Sequence, residues 1–437
     1  MATANLKRSR TTVRTHEGAP AKRIGNEAQL RRSVMSCLLG EDEFYEDGQA
    51  IADRIAEGVR GVDAGTAMAI AIEARTVMHL RHAPLWIVRE MAREGGREVG
   101  DALQAVIQRA DELTEFLALY WKDGKTPLSA QVKRGLGLAF QKFDEYALAK
   151  YDRDGKEIRL RDVLFLSHAK PKDEAQAALW KRLVDGTMAT PDTWEVELSA
   201  KGNTKESWER LLTERKVGNL ALLRNLRNME QAGVNRLIVR EALLRDPFKH
   251  VLPFRFIAAA RYAPEYEPDL EQAMIRKAAE MPRLPGRTVV LIDHSRSMEA
   301  PVSAKSEMTR FDAAAALAMI ARELSDDVAV YTFSNTCIRV PSRRGFALRD
   351  AIFAYVNPVG TMLGHAVRQI HAEQGSYDRI IVITDEQSAD TPPAPLGKGY
   401  VINVASARNG IGYGAWSHID GWSEGVLRYI QAVEHNR

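Results

Sequence analysis

Three residues spaced two apart, Asp293, Ser295 and Ser297 in "GRTVVLIDHSRSM" (Gly286–Met298), follow directly on the apolar run Val289–Ile292. Alternate residues of a tight turn can point the same way, so one carboxylate and two hydroxyls converge. All three offer hard oxygens. That donor set suits Mg²⁺ rather than zinc, because Mg²⁺ takes octahedral oxygen and keeps several waters. A full shell needs oxygens from other loops, and two candidates stand in equivalent contexts. Thr361 follows a glycine and precedes a helical stretch in "NPVGTML", and Asp385 ends the buried run of "RIIVITDEQ". Ser and Asp are also common in turns and helix caps, so the triplet gains weight only from its company at three strand ends.

The elements that must position these residues read clearly. "RTVVLID", "DVAVYTF", "DRIIVITD" and "GYVINVAS" are short β-branched runs without polar alternation. Parallel strands covered on both faces read this way. The stretches "RFDAAAALAMIARELS" and "TMLGHAVRQIHAEQ" between them carry a helical period. Strand and helix alternate, which predicts an open α/β sheet over residues 285–437, and such sheets bind ligands beyond the carboxyl ends of their strands. The boundary falls near "EMPRLPG". Upstream, residues 26–284 form Ala- and Leu-rich text with apolar residues three and four apart, as in "EAQLRRSVMSCLL" and "AGTAMAIAIEARTVMHL". Breaks at "EGGREVG", "KDGKTP", "DRDGKE" and "TPDT" predict helices of roughly 10–20 residues stacked as an α-solenoid.

The chain of 437 residues is long enough for two or three domains, and 45% apolar with 27% charged residues is ordinary globular composition. No apolar run reaches the roughly 20 residues of a membrane helix. No charged-then-apolar leader opens the sequence, and cysteine is scarce, so a cytoplasmic location is expected. Cys37 and Cys337 lie far from each other and from any second ligand at zinc spacing, and are read as buried thiols. The net charge of +3 is unevenly spread. Residues 1–25 hold Lys7, Arg8, Arg10, Arg14, Lys22 and Arg23 against Glu17, which predicts a mobile basic arm.

Two further basic stretches lie in the helical half. Gln131–Lys172 carries ten Lys or Arg against six acids, and Lys216–Arg255 carries eight against three. Cationic faces on a helical scaffold neutralise phosphates and give salt-sensitive affinity, while single strands also want π-faces and hydrogen-bonding tips. Lys133 and Arg134 open the first stretch. Tyr151 and His168 then stand among Lys150, Arg153, Arg159, Arg161, Lys170 and Lys172. His168 has two readings, a nucleic-acid contact or a helix-capping or packed histidine. Arg224 and Arg227 lie three apart on one helical face, available to RNA or to structural ion pairs.

The five-oxygen constellation resembles the metal-ion-dependent adhesion site of von Willebrand factor A domains. The resemblance implies Ser295, Ser297 and Thr361 as direct ligands, with Asp293 and Asp385 acting mainly through water and one position left for a partner's carboxylate. His294 and Arg296 depart from the usual small residues, and Arg296 brings a positive charge beside the expected cation. Three stretches, "RDVLFLSHAKPK" (Arg161–Lys172), "NLALLRNLRNM" (Asn219–Met229) and "RDPFKHVLPFRFIAAARY" (Arg245–Tyr262), resemble signature segments of the TROVE module of Ro autoantigens. That family joins its TROVE ring to a C-terminal von Willebrand A domain in this order, so the resemblance spans about residues 26–437. It implies a ring of HEAT-like helical repeats closed by a Rossmann-like A domain. It also implies binding of misfolded noncoding RNA by its 3′ single-stranded end, and of Y RNAs on the outer surface. His168 falls at the family's RNA-contacting histidine, and Lys150 and Arg153 at its basic pair, although the intervening loop is about one residue longer.

The expectation is therefore a noncatalytic Ro-like RNA-binding protein with a divalent cation, Mg²⁺, and no membrane association. The alternative is a metal-dependent adaptor that captures a protein partner at the A domain. No nucleophile–base–orienter set or phosphate-gripping glycine loop appears, and "GIGYG" lacks the following Lys. Metal-assisted phosphodiester cleavage needs an activated water with an adjacent base, which two neutral hydroxyl ligands do little to supply.

Overall fold

The computed structural model describes residues 14–15, 18–20, 25–35, 48–152, 155, 157–245, 248, 251–302, 308–354, 359–405, 410, 414–423 and 425–435. Cys37, Arg153 and most of the basic arm lie outside these residues.

Among the described residues, sixteen α-helices, from Asn26–Met35 to Glu267–Ala279, precede the first strand. They run from seven to thirteen residues, several of them shorter than the expected length. Short polar side chains open many of them. Asp63, Ser129, Asp144, Asp173, Thr193 and Thr204 each accept a hydrogen bond from a backbone N–H three residues on. Gly186 and Gly202, both at positive φ, close the helices that Asp173 and Thr193 open. Helices two apart in sequence pack on each other again and again, which is the stacking of a solenoid.

The sheet is built from β1 (Leu284–Asp293), β2 (Ser325–Phe333), β3 (Cys337–Arg339), β4 (Arg379–Thr384), β5 (Lys398–Asn403) and β6 (Trp416–Asp420). Its order is β3-β2-β1-β4-β5-β6, all parallel except the antiparallel edge strand β3. β1 shows why the apolar run lacks alternation. Val289 and Leu291 pack with Tyr331, Val367 and Val382 on one face, while Val290 and Ile292 join a core that continues into the helical half. Both faces are covered. No described helix is long and apolar enough to cross a membrane.

The α/β domain touches both ends of the solenoid and so closes it. At the C-terminal end, Arg261 pairs with Asp312 at 2.8 Å, and Phe346 N donates to Glu271 at 2.7 Å. At the N-terminal end, Arg32 of the first helix is buried against Glu386, which follows β4, and lies 3.7 Å from Asp420 of β6. His418 bridges the two acids, 2.7 Å from Glu386 and 2.6 Å from Asp420. All four side chains are at most 5% exposed. Gly410 covers this joint: a Cβ there would lie 2.3 Å from Glu386 Oε2 and 2.9 Å from an Arg32 guanidinium nitrogen.

Within the arm, residues 14–15, 18–20 and 25 are described. Arg14 and Pro20 form a bridge, Thr15 and Ala19 are buried, and Thr15 Oγ1 donates to Ser388 O at 2.6 Å. One small turn with two buried residues suffices to dock that part of the arm beside the loop after β4.

Candidate metal centre and nucleic-acid interface

β1 and β4 are neighbours whose chains leave in opposite senses, so their carboxyl ends frame a crevice. Asp293 ends β1, and Asp385 follows β4. The turn after β1 folds back because Ser295 N donates to Asp293 Oδ1 at 2.8 Å, leaving Ser295 Oγ 3.2 Å from Ser297 Oγ. Thr384 Oγ1 donates to Asp293 Oδ2 and accepts from Glu386 N at 3.0 Å. Ser297 hydrogen-bonds Asp385, whose Oδ1 also accepts from Gln387 N at 3.1 Å. Thr361 arrives on a separate loop, clamped by Met362 N to Ser334 O and by Ala389 N to Thr361 O, each 2.8 Å. Gly360, with φ +70°, makes that loop possible.

All five oxygen-bearing residues are at most 4% exposed. Asp293 is pushed up to about 7 by burial and by the nearby Asp385 carboxylate. Burial also raises Asp385, and the buried guanidinium of Arg310 holds it back. Asp385 Oδ2 is buried without a hydrogen-bond partner. Two crowded carboxylates, two adjoining hydroxyls and an orphaned carboxylate oxygen fit a small divalent cation, which would relieve the repulsion that desolvation creates.

His294 turns away and stacks on Phe311, 4.1 Å between ring centroids, and Arg296 is exposed. The buried cation is Arg310 instead. It opens the helix Arg310–Leu324, and neither its motif nor its spacing distinguishes it in the sequence.

In the helical half, Lys150, Arg159 and Arg161 line one cleft of about 960 Å³ together with Asp152 and Glu195. Lys150 lies 3.7 Å from Glu195, Arg159 3.2 Å from Asp152, and Arg134 2.8 Å from Asp101. Those three cations are partly neutralised. Lys133, Arg161, Lys170, Lys172, Arg224 and Arg227 form no ion pair among the described residues. The ring of Tyr151 already faces its own cations, Arg109 at 5.1 Å and Lys150 at 5.8 Å, and packs on the core. It is a supporting residue rather than an open stacking face. Phe165 is the open one, 59% exposed on the helix Leu160–Ser167 that His168 caps. His168 is exposed and left-handed, φ +52°, with its N–H donating to Phe165 O at 3.2 Å. Its backbone therefore ends the helix while its ring faces solvent, so capping and contact are compatible.

Arg255, a half-buried residue, lies close enough to Arg224 for burial and that second guanidinium to lower its pKa. Two arginines held together at a partly buried point attract an anion.

A model of the TROVE domain matches residues 175–310, from the middle of the solenoid through β1 and the Asp293 turn. That region, less than half of the chain, is similar to a TROVE domain. Lys150–Lys172 lie before the matched region. The chain is 36% identical over 75 residues to telomerase protein component 1 of Mus musculus and of Rattus norvegicus. Those matches cover 16% of this chain and 3% of either relative, so the chain spans only a small part of their length. The crystal structure of the Deinococcus radiodurans RO (RSR) protein superposes with a TM-score of 0.60, covering 94% of this chain and all of that one. Sequence identity is 19%, and the likeness is one of fold: a helical-repeat ring followed by an open α/β sheet.

Proposed function

We propose that this protein is a noncatalytic RNA-binding scaffold. It holds the single-stranded 3′ end of misfolded noncoding RNA in its closed helical solenoid and Y-like RNA on its outer face. The observation that carries the reading is the pair of unpaired cations Lys170 and Lys172 following exposed Phe165 and His168 at the C-terminal end of the helix Leu160–Ser167, with unpaired Arg161 at its other end. Phosphates meet the cations, and an unstacked base meets a π-face. The family match and the Ro-type fold agree with it. The α/β domain serves as a brace, and its oxygen cluster as a resident Mg²⁺ site. Ser295, Ser297, Thr361, Asp293 and Asp385 would hold the ion. Bound there, Mg²⁺ supplies charge and a coordination position.

Filter binding against salt tests the RNA reading. If Arg161, Lys170 and Lys172 each meet one phosphate of a single strand, their joint change to Gln flattens the slope of log K against log salt by about 2. An unchanged slope removes these residues from the interface. A second reading, an adaptor that presents its metal to an acidic protein, is favoured by the unpartnered Asp385 oxygen. It requires a partner retained after RNase and lost on Asp293→Ala.

A further inference from the structure

The edge of the sheet opposite the metal carries a second charged site. β3 runs antiparallel to β2, with Arg339 opposite Tyr331, and Val340 N donates to Val330 O at 2.9 Å. The chain continues through Pro341 and Ser342 to Arg343 before the helix Gly345–Phe353. Between this segment, the first half of β2 and the end of the helix Arg310–Leu324 lies a pocket of about 260 Å³. Arg322, Arg339 and Arg343 line it, and Val328, Val340 and Leu348 supply apolar wall. No carboxylate lines it.

The charges around it are sorted. Asp326 pairs with Arg283 at 2.8 Å, Asp327 with Arg287 at 3.3 Å, and Glu323 with Arg344. The neighbouring acids are thus taken by other arginines. Arg322, Arg339 and Arg343 form no ion pair among the described residues, and Arg322 Nε is buried without a hydrogen-bond partner. Three unneutralised guanidiniums, Arg322 half-buried on the helix and Arg339 and Arg343 exposed on β3 and the segment that leaves it, face one concavity and attract an anion. Guanidinium forks match the oxygens of phosphate, and the apolar wall would cover the face of an attached ring.

We propose that this pocket binds a phosphate monoester carried by a nucleotide. Arg322, Arg339 and Arg343 hold the phosphate, and Val328, Val340 and Leu348 pack on the nucleoside. The site is separate from both the metal crevice and the Lys150–Lys172 cleft, and it does not depend on the RNA reading.

Calorimetric titration of the full chain with 5′-AMP, adenosine and a 5′-phosphorylated trinucleotide tests it. Saturable binding of AMP, with none of adenosine, is expected and points to a free nucleotide. Binding of the phosphorylated trinucleotide without AMP also supports the site and points to an RNA end as the source. Arg322→Gln and Arg343→Gln should each weaken binding by about tenfold or more, the scale of a lost charge-assisted hydrogen bond. Arg343 is exposed, so its variant keeps the test sound if Arg322→Gln fails to fold. Equal binding of adenosine, no binding of either phosphate probe, or full affinity in both variants overturns the proposal.

Discussion

Arg32→Met probes the joint that closes the solenoid. Arg32, Glu386, His418 and Asp420 form a buried cluster of two cations and two anions when His418 is protonated. Methionine fills much of the same volume but leaves two carboxylates facing a single imidazolium. Removing one member of a buried ion pair costs about 3–5 kcal/mol, because the remaining charge stays desolvated. The loss falls where the helix Asn26–Met35 meets Glu386 after β4 and the end of β6. It should appear as local opening rather than global unfolding. Native-state hydrogen exchange resolves such opening, and about 1.4 kcal/mol per tenfold gives amide exchange faster by roughly two to three and a half decades. The effect should be confined to residues 26–35 and 416–420, with the helix Phe254–Tyr262 unchanged. Unaltered protection at the first helix would mean that the cluster does not hold the joint, and the closure argument would fail.

Two further outcomes follow from the same geometry. His418 is raised to about 9, since Glu386 and Asp420 outweigh the burial that would lower it. A raised histidine stabilises fully below its unfolded value near 6.5 and loses that contribution as pH climbs through 9. The joint should therefore weaken by about 3 kcal/mol across that window, and His418→Gln should abolish the pH dependence of first-helix exchange. An identical profile in the variant would assign the titration elsewhere. At the metal crevice, Asp385→Asn removes one of two repelling carboxylates. Without metal the variant should match or exceed the parent in thermal midpoint, and Mg²⁺ should raise the midpoint of the parent alone. Equal Mg²⁺ responses would place the ion elsewhere.

The features written in the sequence were those fixed by period and by strand ends. β1, β2, β4 and β5 announced themselves because burial on both faces demands unbroken aliphatic runs. β3 and β6 did not: one has three residues, and β6 reads Trp-Ser-His-Ile-Asp, with Ser417 exposed on a sheet edge. Asp293, Ser295 and Ser297 come together through a local turn, which leaves a motif, and Asp385 joins them because it follows the apolar run of β4, the neighbour of β1. Arg310 and Arg255 left none, because their importance comes from neighbours distant in the chain. The charge counts likewise overstated Lys150, Arg159 and Arg134, since a count cannot show that Glu195, Asp152 and Asp101 stand opposite. Phe165 escaped notice because an aromatic in an amphipathic helix ordinarily packs inward. The Arg32 cluster joins residues more than 350 positions apart, beyond any pattern of spacing.

Competition between two RNAs that share one structured body, one blunt and one with a single-stranded 3′ tail, bears most directly on the central claim. The tailed RNA should win decisively, and Lys170→Gln with His168→Ala should erode that preference without unfolding the chain. Equal affinity for the blunt RNA, or a preference untouched by those changes, would contradict the account of a closed cationic solenoid that grips free RNA ends.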